Sequence, residues 1–207
     1  MSEMNIRFKK QQYQLDAVAS VVECFRGQTK VEGIKYRVDP GKQESSQRGQ
    51  QEISYEDEVH GLKNSDFTIS QEQIFKNIQN IQREQNIPVS EKLQSNSVAN
   101  INLDVEMETG TGKTYVYTRT CFELNRQYGW NKFIIVVPSV AIREGVYQSI
   151  ELTREHFKEE YAKQVKSFIY NSKDLTNLES FSTDAGINVM IINVQAFNAT
   201  GKDARKA

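Results

Sequence analysis

The order Gly-x-Gly-Lys-Thr at residues 110–114, within the stretch EMETGTGKTYVYTRT, constrains the fold of this chain more than any other feature. Two glycines this close let the backbone curl, so that successive amide N–H groups point towards one centre. A helix that begins at the same point adds the positive end of its dipole. The stretch therefore predicts a phosphate-binding loop, provided that a strand precedes it and a helix follows it.

Strands and helices alternate from residue 101 onwards. The predicted strands are the runs 101–107, 132–138, 165–170 and 187–194, and the predicted helices are 113–128 and 139–163. Gly129 is expected to end the first helix and Ser139 to cap the second. The unbroken apolar run 132–138 is typical of a strand buried on both faces of a parallel sheet. This alternation predicts an α/β fold with right-handed crossovers and a doubly wound sheet.

The first hundred residues have a different character. Leu15, Val18, Val22 and Phe25 recur at helical spacing within 6–27. Residues 36–66 are rich in Gln, Ser, Gly and charge, and are interpreted as an irregular or partly mobile insertion. Residues 71–86 again carry a helical apolar stripe. The predicted regions are an N-terminal helical part (1–35), a polar insertion with one amphipathic helix (36–100), and a partial ATPase lobe (101–207).

The composition excludes several classes of protein. The chain carries 26 Lys and Arg against 27 Asp and Glu, so its overall charge gives no argument for nucleic-acid binding. No apolar run approaches about 18 residues and no leader pattern opens the chain, so we expect no membrane partner and a cytoplasmic location. Cys24 and Cys121 are interpreted as buried thiols of a reducing compartment. His60 and His156 are isolated and predict no metal site.

Each position of the phosphate loop has an expected role. Lys113 is expected to reach the β- and γ-phosphates of a nucleotide, and the Thr114 hydroxyl to bind Mg²⁺. Met107 departs from the full pattern, in which a Gly or Ala is usual. Because that position precedes the glycines, we expect it to affect packing and not chemistry.

Gln14 is a candidate for reading the base of the nucleotide. A glutamine amide offers a donor and an acceptor, which suits the N6 and N7 edge of adenine. Glutamine in an amphipathic helix is more often simply solvated, and that alternative stays open from this residue alone.

Polar residues follow two of the predicted strands. Pro138 and Ser139 stand at the carboxyl end of one, and Arg143 lies one helical turn further on. Hydroxyl and amide groups at a helix start can hold a nucleic-acid phosphate, but the same residues would also serve as a simple helix cap. Asn193 and Gln195 follow the last strand, either as polar contacts to a DNA strand or as turn residues.

A nucleotide hydrolase also needs an acid after an apolar strand, to hold Mg²⁺ and to orient the attacking water. No apolar run after residue 114 is followed by Asp-Glu, and the acidic stretch 55–58 lies upstream in polar surroundings. We therefore interpret the chain as half of an ATP site, cut short before its second half.

Several motifs in order carry a resemblance to a known family. The stretch 103–161, with Met107-Glu108-Thr109 before the glycines and the run 141–145 (AIREG), resembles the ATPase core of the restriction (Res) subunit of type III restriction–modification enzymes, in helicase superfamily 2. The similarity extends more loosely to QLDAV near the start and INVMIINVQAF near the end.

The resemblance implies a RecA-like P-loop fold and an ATP- and Mg²⁺-dependent motor on double-stranded DNA. It implies a modification (Mod) methyltransferase subunit as partner and a nuclease in the parent protein. Carried over by position, Gly110, Thr111, Gly112, Lys113 and Thr114 form helicase motif I. Gln14 is the adenine contact, unless the alignment slips to Gln11 or Gln12, and Pro138, Ser139 and Arg143 lie on the DNA track.

The resemblance also bounds what this chain does alone. We expect it to bind nucleotide but not to translocate on, unwind or cut DNA. Another superfamily 2 DNA helicase, a type I restriction motor subunit, or a non-catalytic nucleotide-binding module are the alternatives.

Overall fold

The structure is a computed structural model, and it describes residues 8–31, 34–37, 60–95, 99–171 and 176–195. In chain order the elements are α1 (Gln12–Glu23), β1 (Ile34–Arg37), β2 (His60–Lys63), α2 (Gln71–Glu84), α3 (Lys113–Tyr128), β3 (Lys132–Val137), α4 (Val140–Tyr161), β4 (Val165–Ile169), α5 (Thr176–Thr183) and β5 (Ile187–Asn193).

A parallel sheet of three strands, in the order β3-β5-β4, forms the centre of the fold. Strand β5 is buried along almost its whole length because it has a neighbour on each side. Its register pairs Val189 with Phe133 of β3 and with Ser167 of β4. Parallel strands need long crossovers, and α4 and α5 supply them.

Helices lie on both faces of this sheet. Helices α3 and α4 pack on the face that carries Val189 and Ile191, where Phe122, Ile150 and Phe157 are almost fully buried. Helix α5 lies on the opposite face, since Phe181 contacts Phe168 of β4 with ring centroids 5.8 Å apart. The prediction of a doubly wound α/β sheet is confirmed.

A second apolar core joins the N-terminal helices to α3. Val18 and Val22 of α1 meet Ile74 of α2, together with Tyr128 and Trp130 at the end of α3. Asn77 of α2 secures this contact, because its Nδ2 donates to the carbonyls of Cys24 (3.1 Å) and Arg26 (2.9 Å). Helix α3 therefore belongs to both cores and connects the phosphate loop to each.

The predicted helix ends are confirmed. The Ser139 hydroxyl accepts from the amide of Ile142, and Gly129 ends α3 in a left-handed conformation at φ 79°. Ser70 caps α2 in the same way as Ser139 caps α4, by accepting from the amide of Gln73. Among the described residues, no helix is long and apolar enough to cross a membrane.

The interpretation of 36–66 as irregular is wrong at both of its ends. Strands β1 and β2 pair antiparallel, with Tyr36 opposite Gly61. Residues 38–59, including the acidic stretch 55–58, lie outside the described residues. After β2, the Asn64 side chain accepts from the amides of Asn131 and Lys132 and donates to the Lys132 carbonyl. The polar composition of this region therefore does not mean that it is irregular, because Asn64 is anchored by hydrogen bonds to the start of β3.

The predicted strand over 101–107 is also wrong, because these residues pair with no strand in the described part of the chain. Ile101, Leu103 and Met107 instead pack on the second core, while Asp104 and Glu106 stay exposed. Placing those carboxylates between two strands of a buried sheet would remove them from water without partners.

Strand β3 is not buried on both faces, as its apolar run predicts. Ile134 and Val136 are 53% and 48% exposed, whereas Val137 is buried against α3 and α4. The strand stands at the edge of the described sheet. On the face that carries Ile134 and Val136, helix α5 covers only the part near Phe168 of β4 and Lys132 at the start of β3.

Candidate functional site

The phosphate loop has the backbone that its glycines predict. Gly110 and Gly112 adopt left-handed conformations, at φ 82° and 86°, which glycine reaches without steric cost. Gly112 is also the N-cap of α3 and offers no side chain, so no side-chain cap occupies the first-turn amides. These amides and the positive end of the helix dipole form a ready anion site.

Lys113 lies folded back along its own loop. Its Nζ donates to the carbonyl oxygens of Met107 (2.7 Å) and Glu108 (2.8 Å), and the residue is exposed to solvent. The Thr111 hydroxyl donates to the same Glu108 carbonyl at 2.7 Å. The loop is thus closed by its own lysine.

Gln14 contacts the loop across 97 residues of sequence. Its Nε2 donates to the Thr111 carbonyl at 2.9 Å, and the Tyr13 hydroxyl donates to the same oxygen at 3.2 Å. Gln14 is only 9% exposed, whereas Tyr13 is half-exposed. A Cβ on Gly112 would lie 2.6 Å from Gln14 Nε2, so φ favours glycine here and any larger residue would also have to displace the Gln14 side chain.

Thr114, the predicted magnesium ligand, is half-buried in the first turn of α3. Its carbonyl accepts from the Thr118 hydroxyl at 2.7 Å, one turn along the helix. Among the described residues, no group of three His, Cys, Asp or Glu side chains could hold a metal ion.

A cavity of about 820 Å³ adjoins the loop, between α1, α2 and the segments 87–94 and 102–108. Tyr13 and Thr111 line it together with apolar side chains such as Ile78 and Leu103. Met107 also lines it and packs on the second core, in keeping with the expected packing role of that residue.

The residues predicted to contact DNA gather at the edge of the sheet where the strands end. Pro138 is exposed, and Ser139 caps α4. Arg143 Nη1 donates to Asn193 Oδ1 at 3.4 Å, and Asn193 Nδ2 donates to Gln195 Oε1 at 2.8 Å. The first turn of α4 and the end of β5 therefore form one polar edge, on the same side of the sheet as the phosphate loop.

The sequence does not predict the contact of Tyr13 with the loop, for which its position beside Gln14 is the only signal. Asn193 is a predicted polar residue of the sheet edge, but its pairing with Arg143 is not predictable because the two lie 50 positions apart.

Comparison with known proteins decides the family. A family model described as "Type III restriction enzyme, res subunit" matches residues 7–206. The chain belongs to this family. The match runs through α1, the phosphate loop, and the ends of β3 and β5, and it confirms the resemblance and the RecA-like α/β fold.

Two curated relatives are similar over about half of this chain. The Res subunit of the type III restriction–modification enzyme EcoPI, of Escherichia phage P1, is 39% identical over 115 residues, or 54% of this chain. That of EcoP15I, of Escherichia coli, is 40% identical over 117 residues, or 56% of this chain. The matched part covers 12% of each relative, so the chain spans a small part of their length.

Proposed function

We propose that this chain binds ATP with Mg²⁺ at the loop 106–114 and supplies half of the ATP site of a type III restriction motor. The observation that carries the proposal is the loop itself. The loop combines two left-handed glycines, a helix start without a side-chain cap, and the Lys113 ammonium group bonded to the Met107 and Glu108 carbonyls. Family membership supports nucleotide use by the lobe that contains this loop.

The residues of the loop fit the phosphates of a nucleotide. Amides from Gly110 to Thr114 would donate to phosphate oxygens, and Lys113 would exchange its two carbonyl acceptors for the β- and γ-phosphates. The Thr114 hydroxyl would hold Mg²⁺. ATP supplies the phosphoanhydride bond whose hydrolysis releases the free energy, and Mg²⁺ neutralises its phosphate charge.

Tyr13 and Gln14 are proposed to face the base. Gln14 donates to the Thr111 carbonyl, so it contacts the loop that would hold the nucleotide. The adjoining cavity has the volume usual for small-molecule sites. The contact of Gln14 with the loop supports the proposal that Gln14 reads adenine.

The polar edge formed by Pro138, Ser139 and Arg143 is the proposed DNA track. Arg143 is suited to a phosphate of double-stranded DNA because its guanidinium group offers several donors on a rigid plane. The names of the relatives place them in restriction–modification systems. We accordingly propose a Mod methyltransferase subunit as partner and the cytoplasm as the site of action.

Binding without turnover is the expected behaviour of these 207 residues. No apolar run after residue 114 is followed by Asp-Glu, so the sequence offers no acid suited to hold Mg²⁺ opposite Thr114. We therefore propose that these 207 residues bind nucleotide without hydrolysing it. The motor and nuclease activities are proposed for the parent protein.

Isothermal titration with ATP·Mg²⁺ tests the proposal. We expect Lys113→Ala to weaken binding at least tenfold, since a charged hydrogen bond to phosphate contributes about 1.5–3 kcal/mol. Lys76→Ala, at an exposed position of α2 outside both the loop and the cavity lining, serves as the charge-matched control and should bind as the wild type does. Equal affinity in the wild type and Lys113→Ala would contradict the assignment of the loop.

A further inference from the structure

A network of polar side chains ties the start of the described chain to α3 and α4. Lys10 Nζ donates to Glu160 Oε1 at 2.7 Å, and Arg119 of α3 grips both oxygens of the same carboxylate. The Arg119 side chain is only 7% exposed. Burial raises the pKa of Glu160, but hydrogen bonds from Arg119 and Lys10 outweigh it, and the pKa is lowered. Glu160 thus stays ionised between two cations.

Aromatic contacts strengthen the same attachment. The Phe8 ring lies 5.1 Å from His156 and 6.2 Å from Tyr115, measured between centroids. The Tyr115 hydroxyl accepts from Arg119 Nη1 at 3.0 Å and bonds to His156 Nε2 at 3.0 Å. Phe8 and Lys10 are therefore docked on one surface, formed by α3 and the C-terminal half of α4.

The chain reaches the phosphate loop only a few residues later. Helix α1 starts at Gln12, and no side chain caps its start at Gln11. Tyr13 and Gln14 then donate to the Thr111 carbonyl. Three peptide units between Lys10 and Tyr13 span at most about 11 Å, so a displacement of one end is transmitted to the other.

Both attachments of this segment lead to α3, one through Glu160 of α4 and the other through the phosphate loop. Lys10 is joined through Glu160 to Arg119, and Gln14 is joined to the loop that opens the same helix. The segment 8–14 is therefore a clasp along α3. Breaking the Lys10 end should release Gln14 without disturbing the backbone amides that hold phosphate.

We propose that Phe8 and Lys10 are positioning residues, which hold Tyr13 and Gln14 against the phosphate loop and so set the selectivity of the site for its base. The inference rests on the proposed nucleotide site. Phe8 and Lys10 touch neither phosphate nor base in this account, and act only through the segment that follows them.

The test compares Lys10→Met and Phe8→Ala with Lys9→Met, which removes the same charge one residue away from an exposed position. Affinities of the 207-residue chain are measured for ATP·Mg²⁺, GTP·Mg²⁺ and inorganic tripolyphosphate·Mg²⁺. We expect Phe8→Ala to weaken ATP binding about three- to tenfold, the range of one aromatic contact, and Lys10→Met to weaken it about two- to fivefold, the upper range of one exposed ion pair. Tripolyphosphate binding should change less than about twofold, which is below the effect of one such contact. Lys9→Met should match the wild type, and Lys10→Arg should restore ATP affinity.

The outcomes separate the two claims. If the wild type prefers ATP and Lys113→Ala abolishes binding, yet Lys10→Met behaves as Lys9→Met, only the positioning role is overturned. It is likewise overturned if ATP, GTP and tripolyphosphate all weaken equally, because that is the signature of general damage to the fold. If the wild type binds none of the three ligands, the proposed site is wrong and the inference falls with it. Thermal unfolding of each variant checks that both cores remain folded.

Discussion

Gly110 and Gly112 share a left-handed backbone but differ in their surroundings. A Cβ added to Gly110 would meet nothing within 4 Å, whereas one added to Gly112 would lie 2.6 Å from Gln14 Nε2. The two positions therefore separate the conformational demand of the loop from its packing against α1.

Substituting each glycine by alanine measures this difference. The left-handed conformation alone should lower the free energy of unfolding by about 1–2 kcal/mol in Gly110→Ala. Gly112→Ala should lose more, because its Cβ must also displace Gln14 from the Thr111 carbonyl. Urea unfolding of both variants gives the comparison. Equal losses would show that Gln14 does not pack on the loop as described.

At the scale of single residues, the sequence predicts local backbone conformation better than it predicts contacts between distant residues. The left-handed backbone of Gly110 and Gly112 follows from local spacing, because a loop of five residues dictates its own backbone. The hydrogen bond from Gln14 to Thr111 and the clasp from Lys10 to Glu160 join residues about 100 or more positions apart. Such contacts depend on how the elements pack, and no local pattern records that.

Helix α4 and strand β5 jointly form the polar edge proposed for DNA. Arg143 lies in the first turn of α4 and bonds Asn193 at the end of β5. Arg154 lies on the same helix 11 residues further on, about 16 Å along its axis, and pairs with Glu151. The two arginines thus have the same charge and lie on the same helix, but only Arg143 lies at the polar edge.

Binding of a 30-base-pair duplex should distinguish them. We expect Arg143→Ala to weaken binding and to reduce the slope of log K against log salt by about one, the signature of one lost phosphate contact. Arg154→Ala should leave the slope unchanged. Fluorescence anisotropy over a series of salt concentrations measures both. A reduced slope in Arg154→Ala alone would place the DNA elsewhere.

Elements are predictable where one physical demand dominates. Helices α3 and α4 and strands β3, β4 and β5 follow from apolar period, Ser139 and Gly129, and the structure has them within a few residues, whereas α5 is not among the predicted helices. The prediction of a strand over 101–107 is wrong because alternating apolar and charged residues also suit an extended segment that packs one side on a helical core. The predicted burial of Ile134 and Val136 is wrong for another reason. An apolar run does not reveal which strand lies at the edge of the sheet.

For the molecule as a whole, a cluster at the start of the strands links the three-stranded sheet. Asp184 bonds Lys166 of β4 and accepts from Asn188 of β5 at 3.1 Å, while its carbonyl accepts from Lys132 of β3. Burial alone raises the pKa of Asp184, but hydrogen bonds from Lys166, Asn188 and the Gly186 amide outweigh it and lower the pKa to about 2.

This lowered pKa predicts part of the acid sensitivity of the fold. A carboxylate with a depressed pKa stabilises the folded state above its ordinary value of 3.8, and that contribution is lost as the pH falls towards about 2. Asp184→Asn should therefore be less stable at pH 6 and should lose less stability between pH 4 and pH 2. Urea unfolding at each pH gives the two curves. Parallel curves for the variant and the wild type would contradict the assigned pairing.

Helix α3 joins the two apolar cores into one structural unit around the phosphate loop. Helix α3 carries the loop at its start, packs on the sheet through Phe122, and reaches the second core through Tyr128. The sequence predicts the α/β class from its alternating rhythm. It does not predict that α1 and α2 form a core of their own beside the loop, because that depends on contacts between distant helices.

Amide NMR of the ¹⁵N-labelled chain, titrated with a non-hydrolysable ATP analogue and Mg²⁺, tests the central claim most directly. The account predicts saturable shifts concentrated in Gly110–Thr114 and around Gln14, and their loss in Lys113→Ala. Shifts spread evenly over the surface, or confined to residues remote from the loop, would contradict it.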